Sequence, residues 1–242
     1  MDGLPVHVFL LCYNEAPLLP HAVRHYKKYL PTCKITIYDN YSTDTSREIA
    51  AGLGCDIMVW GSDNILDDRI QVMLKNSVWK TVSSGWIIVA DMDEFLCVTE
   101  DDLRSEHARG TTLLRTRGLD MIGESETLDL TDIDLQGVRK YVRNTQEDKT
   151  VCFRREAVVE MHYTLGAHLC DPHGMRVWSD TVYDLKHMSY LGLPFILNKI
   201  MKRYERTELM RTMGIAIHYT NDPDAIRRDF ESRLQQSELL DA

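Results

Sequence analysis

Asp91-Met92-Asp93 is the arrangement in this sequence with the most definite chemistry. Residues i and i+2 of an extended segment point the same way, so both carboxylates can face one crevice while Met92 turns toward the core. Two adjacent carboxylates repel, and one takes up a proton unless a cation relieves the pair. A hard divalent ion does this: Mn²⁺ or Mg²⁺ accepts one or two carboxylates and fills its other positions with phosphate oxygens and water. On a diphosphate such an ion also stabilises the leaving group as the bond to it breaks. A bare D-x-D is common, so its weight depends on the elements around it.

Those elements alternate. Residues 7–12 form a short apolar run, read as a strand, and residues 16–29 read as a helix. The β-branched run at 34–38 is a second strand. Asp44 caps a helix through about Leu53, with Gly52 and Gly54 ending it, and residues 56–60 are a third strand. Ile70, Met73, Leu74, Val78 and Val82 share one helical face, which predicts a helix over about 66–83. Residues 86–90 (WIIVA) are apolar throughout, as in a strand buried on both faces. This rhythm predicts an α/β fold whose central, mostly parallel sheet is flanked by helices, with its ligand at the carboxyl ends of the strands. Three strands end in polar clusters there: Tyr13-Asn14-Glu15, Asp39-Asn40-Tyr41-Ser42 and Asp91-Met92-Asp93-Glu94.

The second half is less regular. Residues 111–117 and 149–154 read as strands, 193–204 as a basic amphipathic helix and 223–240 as a terminal helix. The expectation is one domain over residues 1–242: a nucleotide-binding half to about residue 98, an acceptor-side half to about 220, and a C-terminal helix.

Asp39 is a candidate for a base N–H or a ribose hydroxyl. Asp44 reads as a helix cap. Lys75 and Asn76, with Arg69 nearly two turns earlier, are candidates for meeting phosphates. Among nine histidines, His168, His187 and His218 stand out, and His168 lies in a turn-rich stretch with Pro172 and Gly174. A neutral imidazole can complete a metal shell with two acids.

A net charge of −9 over 242 residues disfavours a nucleic-acid binder. The six cysteines show no C-x-x-C pair and no zinc spacing, which points to free thiols in a reducing compartment. With no signal-peptide pattern and no run long enough to span a membrane, the cytoplasm is the expected location.

The ordered motifs resemble those of family-2-like glycosyltransferases of the GT-A fold. Residues 10–15 (LLCYNE), 38–44 (YDNYSTD) and 89–96 (VADMDEFL) carry the resemblance, and the D-x-D-E-F-L form is most similar to the branch with family-92-type enzymes. Residues 149–154 are similar to its K-x-x-x-F-R strand, and residues 166–174 to its G-A-H…P-x-G segment. His187 with Gly192, and His218-Tyr219, fit its two H-Y segments, although Met188 follows His187 where the branch has tyrosine. The resemblance implies a uridine nucleotide held by Tyr13, Asn14, Glu15 and Asp39. It implies Mn²⁺ or Mg²⁺ on Asp93, with Asp91 nearer the ribose or a metal-bound water, and His168, in preference to His187, completing the shell. It also implies inversion with a carboxylate base, for which Asp171 is the candidate and Asp180 and Glu156 are rivals. Asn40 stands where the wider family usually has a second aspartate.

The expected reaction is sugar transfer from a UDP-linked donor to a hydroxyl of a glycan or glycoconjugate acceptor. A nucleotidyltransferase is the first alternative, but it wants a Gly-rich basic loop after the first strand. A non-catalytic sugar- or protein-binding module that kept the fold is the second.

Overall fold

The computed structural model describes residues 4–62 and 64–240. The chain runs β1 (Val6–Cys12), α1 (Leu19–Tyr29), β2 (Lys34–Asp39), α2 (Ser46–Gly52), β3 (Asp56–Val59), α3 (Asp68–Ser77), β4 (Trp86–Asp91), β5 (Glu94–Leu96) and α4 (Glu100–Ala108). It continues through β6 (Leu113–Ile122), β7 (Lys140–Arg143), β8 (Cys152–Arg154), β9 (Val158–Glu160), β10 (His173–Gly174) and β11 (Trp178–Tyr190). It closes with α5 (Leu193–Arg206), α6 (Glu208–Thr212), α7 (Pro223–Gln236) and β12 (Glu238–Leu239).

The architecture is α/β around a ten-stranded sheet ordered β12-β7-β6-β8-β4-β1-β2-β3, with β11 joined to β6 and β5. β3, β2, β1 and β4 are mutually parallel. β8 then inserts antiparallel between β4 and β6, so the sheet continues into the second half of the chain. β4 explains itself: Trp86, Ile87, Ile88, Val89 and Ala90 are all buried. Trp86, Ile88 and Ala90 pack with Leu19, Ala22 and Tyr26 of α1 on one face. Ile87 and Val89 pack with Trp79, Phe153 and Tyr163 on the other. Fully burying such a side chain contributes about 1.5–3 kcal/mol, so an all-apolar strand is at home only in this central place.

Several boundaries differ from expectation. The first helix starts at Leu19 rather than at residue 16, because Glu15 O accepts from the N–H of both Leu18 and Leu19 and closes a turn first. The helix expected over 66–83 becomes α3 plus a 3-10 turn over Val78–Thr81. α7 stops at Gln236, and β12 then pairs with β7; residues 241–242 of the expected terminal helix lie outside the described residues. α4 opens with a reciprocal cap in which Thr99 and Asp102 bond each other's backbone. No helix among the described residues is long and apolar enough to cross a membrane, and all six cysteines are free.

Candidate active site

The strand order reverses at β1, with β2 on one side and β4 on the other, and the crevice at such a point lies outside the strands' carboxyl ends. Register places Asp39 beside Cys12 and Asp91 beside Leu11. The backbones of these two residues therefore stand two strand spacings apart, roughly 10 Å.

The turn after β1 is stitched to the loop after β2. Asn14 has φ of 53°, a left-handed conformation that asparagine tolerates. Its Oδ1 accepts from the backbone N–H of Thr43 at 2.7 Å and of Asp44 at 3.2 Å, and its own N–H donates to Ser42 Oγ at 2.9 Å. Asn14 thus positions the turn. The N-cap of α2 is Thr45 rather than the expected Asp44; Asp44, one residue earlier, accepts from the N–H of Ser46 at 2.9 Å and of Ala16 at 3.2 Å and so ties the two turns together. Tyr13 lines a cleft of about 600 Å³ with Asn14, Asn64, Lys202 and Arg206. The Arg206 guanidinium lies 3.3 Å from the centre of the Tyr13 ring. Burial lifts the Glu15 pKa to about 7, against the pull of Lys199.

Asp39 is fully buried at the end of β2. Its Oδ2 accepts from the Ser42 N–H at 3.0 Å and lies 3.7 Å from Arg47 Nε. Its Oδ1 is buried with no hydrogen-bond partner among the described residues. A buried carboxylate oxygen is expensive to leave unpaired, so this atom marks a place for a donor. Asn40 points away: its Nδ2 donates to Ser62 Oγ at 2.9 Å and ties down the loop after β3.

β4 ends at Asp91, and residues 92–93 form a turn rather than a continued strand. Met92 is buried as expected, but the two acids part company. Asp91 remains partly exposed and pairs with Lys75 Nζ at 2.9 Å. Asp93 is buried, and three cations meet its Oδ2: Lys199, His187 Nε2 at 3.3 Å and Arg203 at 3.8 Å. Burial raises the Asp93 pKa, but Lys199 and His187 outweigh it and hold it well below the carboxylate range. His187 Nδ1 is 2.7 Å from Asp120, which also accepts from Arg233 at 2.8 Å and Asn144 at 3.0 Å. With a carboxylate at each nitrogen, the His187 ring is an imidazolium. Burial disfavours its charge, yet Asp93 and Asp120 push its pKa up to about 9.

One pH prediction follows directly. The folded pKa lies above the ordinary 6.5, so this contribution to stability is complete below pH 6.5 and is lost as pH rises through 9. The loss amounts to about 3 kcal/mol. Urea midpoints measured at pH 6 and pH 9.5 should differ accordingly in the native chain and much less in His187→Gln; equal shifts would remove His187 as the cause.

Below the turn, Glu94 accepts from the Asp91 N–H at 2.8 Å and from Lys149 Nζ at 2.6 Å. Glu147 lies 2.8 Å from the same ammonium. Glu94 is buried, which raises its pKa, but Lys149 and Lys75 bring it down to about 2. The triad fixes the backbone on which Asp91 and Asp93 sit.

Other expected site residues have different occupations. Arg69 is exposed and folds back on Asp67, the cap of its own helix, at 2.6 Å. Asn76 exchanges hydrogen bonds with the Tyr163 backbone, at 2.9 Å and 3.3 Å, and anchors the segment leading to Gly166. His168 directs Nδ1 to the Gln146 carbonyl at 2.8 Å. Its ring packs on Gly166, where a Cβ would come within 2.6 Å and where φ is +72°. Among the described residues no group of three or more His, Cys, Asp and Glu could hold a metal ion. The expected set of Asp91, Asp93 and His168 is therefore not assembled. The Asp93 oxygen that would bind a divalent ion is already held by cations, so these residues do not fit the ion.

Asp171 is 71% exposed and faces Arg176 at 3.3 Å and His173 at 3.8 Å. Glu156 accepts from the Gly85 N–H at 2.9 Å, at the amino end of β4 and so at the wrong end of the sheet. Asp180 lies seven residues before His187 on β11, about 20 Å away along the strand. Lys199 and Arg203 were visible only as part of a basic helix; their four-residue spacing was the available signal.

No family model matches the chain. Over 52 residues it is 31% identical to Protein RfbJ of Shigella flexneri, covering 22% of this chain and 40% of that one. The S. aureus TarS crystal structure superposes with a TM-score of 0.49 at 12% identity, covering 90% of this chain and 44% of that one. TarS 1–349 in complex with UDP-GlcNAc gives 0.45 at 13% identity, over 96% and 73% of the two chains. Glucosyl-3-phosphoglycerate synthase from Mycobacterium tuberculosis, crystallised with Mn²⁺, UDP and glucosyl-3-phosphoglycerate, gives 0.32 at 16% identity, over 48% and 44%. The chain thus matches less than half the length of RfbJ and of the TarS chain.

Proposed function

We propose that this chain is a glycosyltransferase that moves a sugar from a UDP-linked donor to a hydroxyl of a glycan or glycoconjugate acceptor, with inversion. The observation that carries this reading is the Asp39 Oδ1, buried without a hydrogen-bond partner among the described residues at the reversal point of a parallel sheet. A nucleotide's N–H or hydroxyl supplies the missing donor, and its phosphates extend toward Lys75, Lys199 and Arg203. The β1–α1 turn contains no glycine, which disfavours the nucleotidyltransferase reading.

In the transfer, the acceptor oxygen bonds to the anomeric carbon as the bond to the β-phosphate oxygen breaks. The bonding pair leaves with UDP, and the acceptor's proton goes to a carboxylate. Asp171, beside His168 in the sequence, is the candidate for this base. Asp171→Asn is expected to lower transfer about 100-fold and leave UDP binding unchanged. Unaltered turnover would pass the role to Glu15, whose pKa of about 7 suits proton exchange at neutral pH.

Asp39→Asn is expected to weaken UDP binding about tenfold, the value of one hydrogen bond to a charged acceptor. Competition of UDP against a fluorescent analogue reads this, and unchanged affinity would place the base elsewhere. For the reaction itself, incubation with a panel of UDP- and other nucleotide-sugars should release nucleotide slowly from one of them without acceptor. Release from none, with or without added acceptors, would support a binding module instead.

A further inference from the structure

α5 carries Lys199, Lys202, Arg203 and Arg206 within its last two turns. Lys199 and Arg203 are four residues apart and share a face, on which Arg206 follows one turn later. That face lies along the strand ends. Lys199 and Arg203 meet Asp93 after β4, and Arg206 covers Tyr13 after β1. Lys202 and Arg206 line the cleft beside Tyr13. Lys75 adds a further cation from α3, against Asp91.

At the Asp93 carboxylate three cations meet one acid, with Glu15 as a further charge facing Lys199 and Arg203. Asp93 is already contacted by Lys199 and by His187, so Arg203 finds it only at 3.8 Å, and the Arg203 side chain remains 33% exposed. It also reaches the Tyr219 hydroxyl at 3.4 Å, and Glu15 and Asp91 face it as further carboxylates. A divalent ion on Asp93 would have to enter among three cations, with no third protein ligand assembled among the described residues. An anion meets the opposite situation: a guanidinium fork and an ammonium held in place by a buried carboxylate, which is a geometry suited to phosphate oxygens.

Resting on the glycosyltransferase reading, we propose that Lys199 and Arg203 neutralise the donor's diphosphate directly, in place of a divalent ion on Asp91 and Asp93. Asp93 is then a positioning residue that orients the two cations. As the sugar–phosphate bond breaks, the negative charge gathering on the leaving UDP falls on these fixed cations.

Calorimetric titration of UDP into the protein, once with EDTA and once with Mn²⁺, tests this. The expected result is the same affinity in both. Arg203→Gln should weaken UDP binding at least about tenfold in both buffers while leaving uridine binding unchanged. Arg203 is the variant of choice because it is partly exposed, so its loss does not strand Asp93, which keeps Lys199 and His187. Lys199→Arg, which preserves the charge, should retain most of the affinity. UDP binding that appears only with Mn²⁺, or that Arg203→Gln leaves intact, would overturn the proposal and leave the glycosyltransferase reading standing. No UDP binding in either buffer, together with no nucleotide release from any donor, would overturn that reading itself.

Discussion

Asp93→Asn is expected to lower the unfolding free energy by about 3–5 kcal/mol, the usual effect of removing one partner from a buried ion cluster. Asparagine keeps the shape of the side chain but removes the charge that Lys199, His187 and Arg203 share. Two of those cations are themselves mostly buried, so water cannot replace the carboxylate. The melting temperature should fall on the order of 10 °C in a chain of this size. Asp93→Asn combined with Lys199→Met should recover part of the loss, because the second change removes a stranded ammonium. If Asp93→Asn melts within a degree or two of the native chain, the cations are not held by this carboxylate. An exposed metal ligand would behave in that second way, so the experiment also separates a positioning role from a binding one.

Lys149→Met is expected to be as severe, about 3–5 kcal/mol at neutral pH. Lys149 is buried between Glu94 and Glu147, and Glu94 is in turn the acceptor for the Asp91 N–H. Without the ammonium, burial works unopposed by its nearest cation on Glu94, whose pKa then rises from about 2. A protonated Glu94 tolerates the apolar neighbour, so the defect should shrink as pH falls from 7 toward 5. Chemical denaturation at the two pH values checks the sign. A defect of the same size at both pH values would show that Lys149 acts through packing alone. Glu94→Gln in the Lys149→Met background should remove most of the pH dependence.

The sequence made the first half legible because β1, β2 and β4 are apolar runs that stop abruptly at polar clusters, and a parallel sheet gathers such ends on one side. It also marked Asp39 and the D-x-D turn. Hidden from it were the partners. Lys199 meets Asp93 across 106 residues of chain, and Lys149 meets Glu94 across 55. No local spacing announces such pairs. The same limit misplaced Asn76 and Arg69: a helix pattern shows which side chains share a face, but not that Tyr163 or Asp67 will occupy them. The resemblance points to His168 as the later histidine of a metal shell, whereas its ring packs on Gly166 and its Nδ1 meets the Gln146 carbonyl, contacts no sequence pattern shows. The long β11 escaped notice because charges interrupt it, although Tyr183 and Leu185 keep the two-residue alternation of a half-buried strand. α4 carried a readable signal in Thr99 and Asp102, three residues apart ahead of a helix.

β8 has a further consequence. It is three residues from the second half of the chain, hydrogen-bonded between β4 and β6. A fragment cut near residue 98 would end its sheet on β4, a bare apolar edge of the kind that recruits other chains. The halves are therefore not interchangeable cassettes. A graft that replaced the second half would have to bring a strand to lie antiparallel to Trp86–Ile88, with its own cation at the height of Glu94. The segment between β6 and β7 carries no such obligation toward β4; its Leu130 and Leu135 enter the core instead, and the Leu130 carbonyl meets His21 of α1 at 2.8 Å.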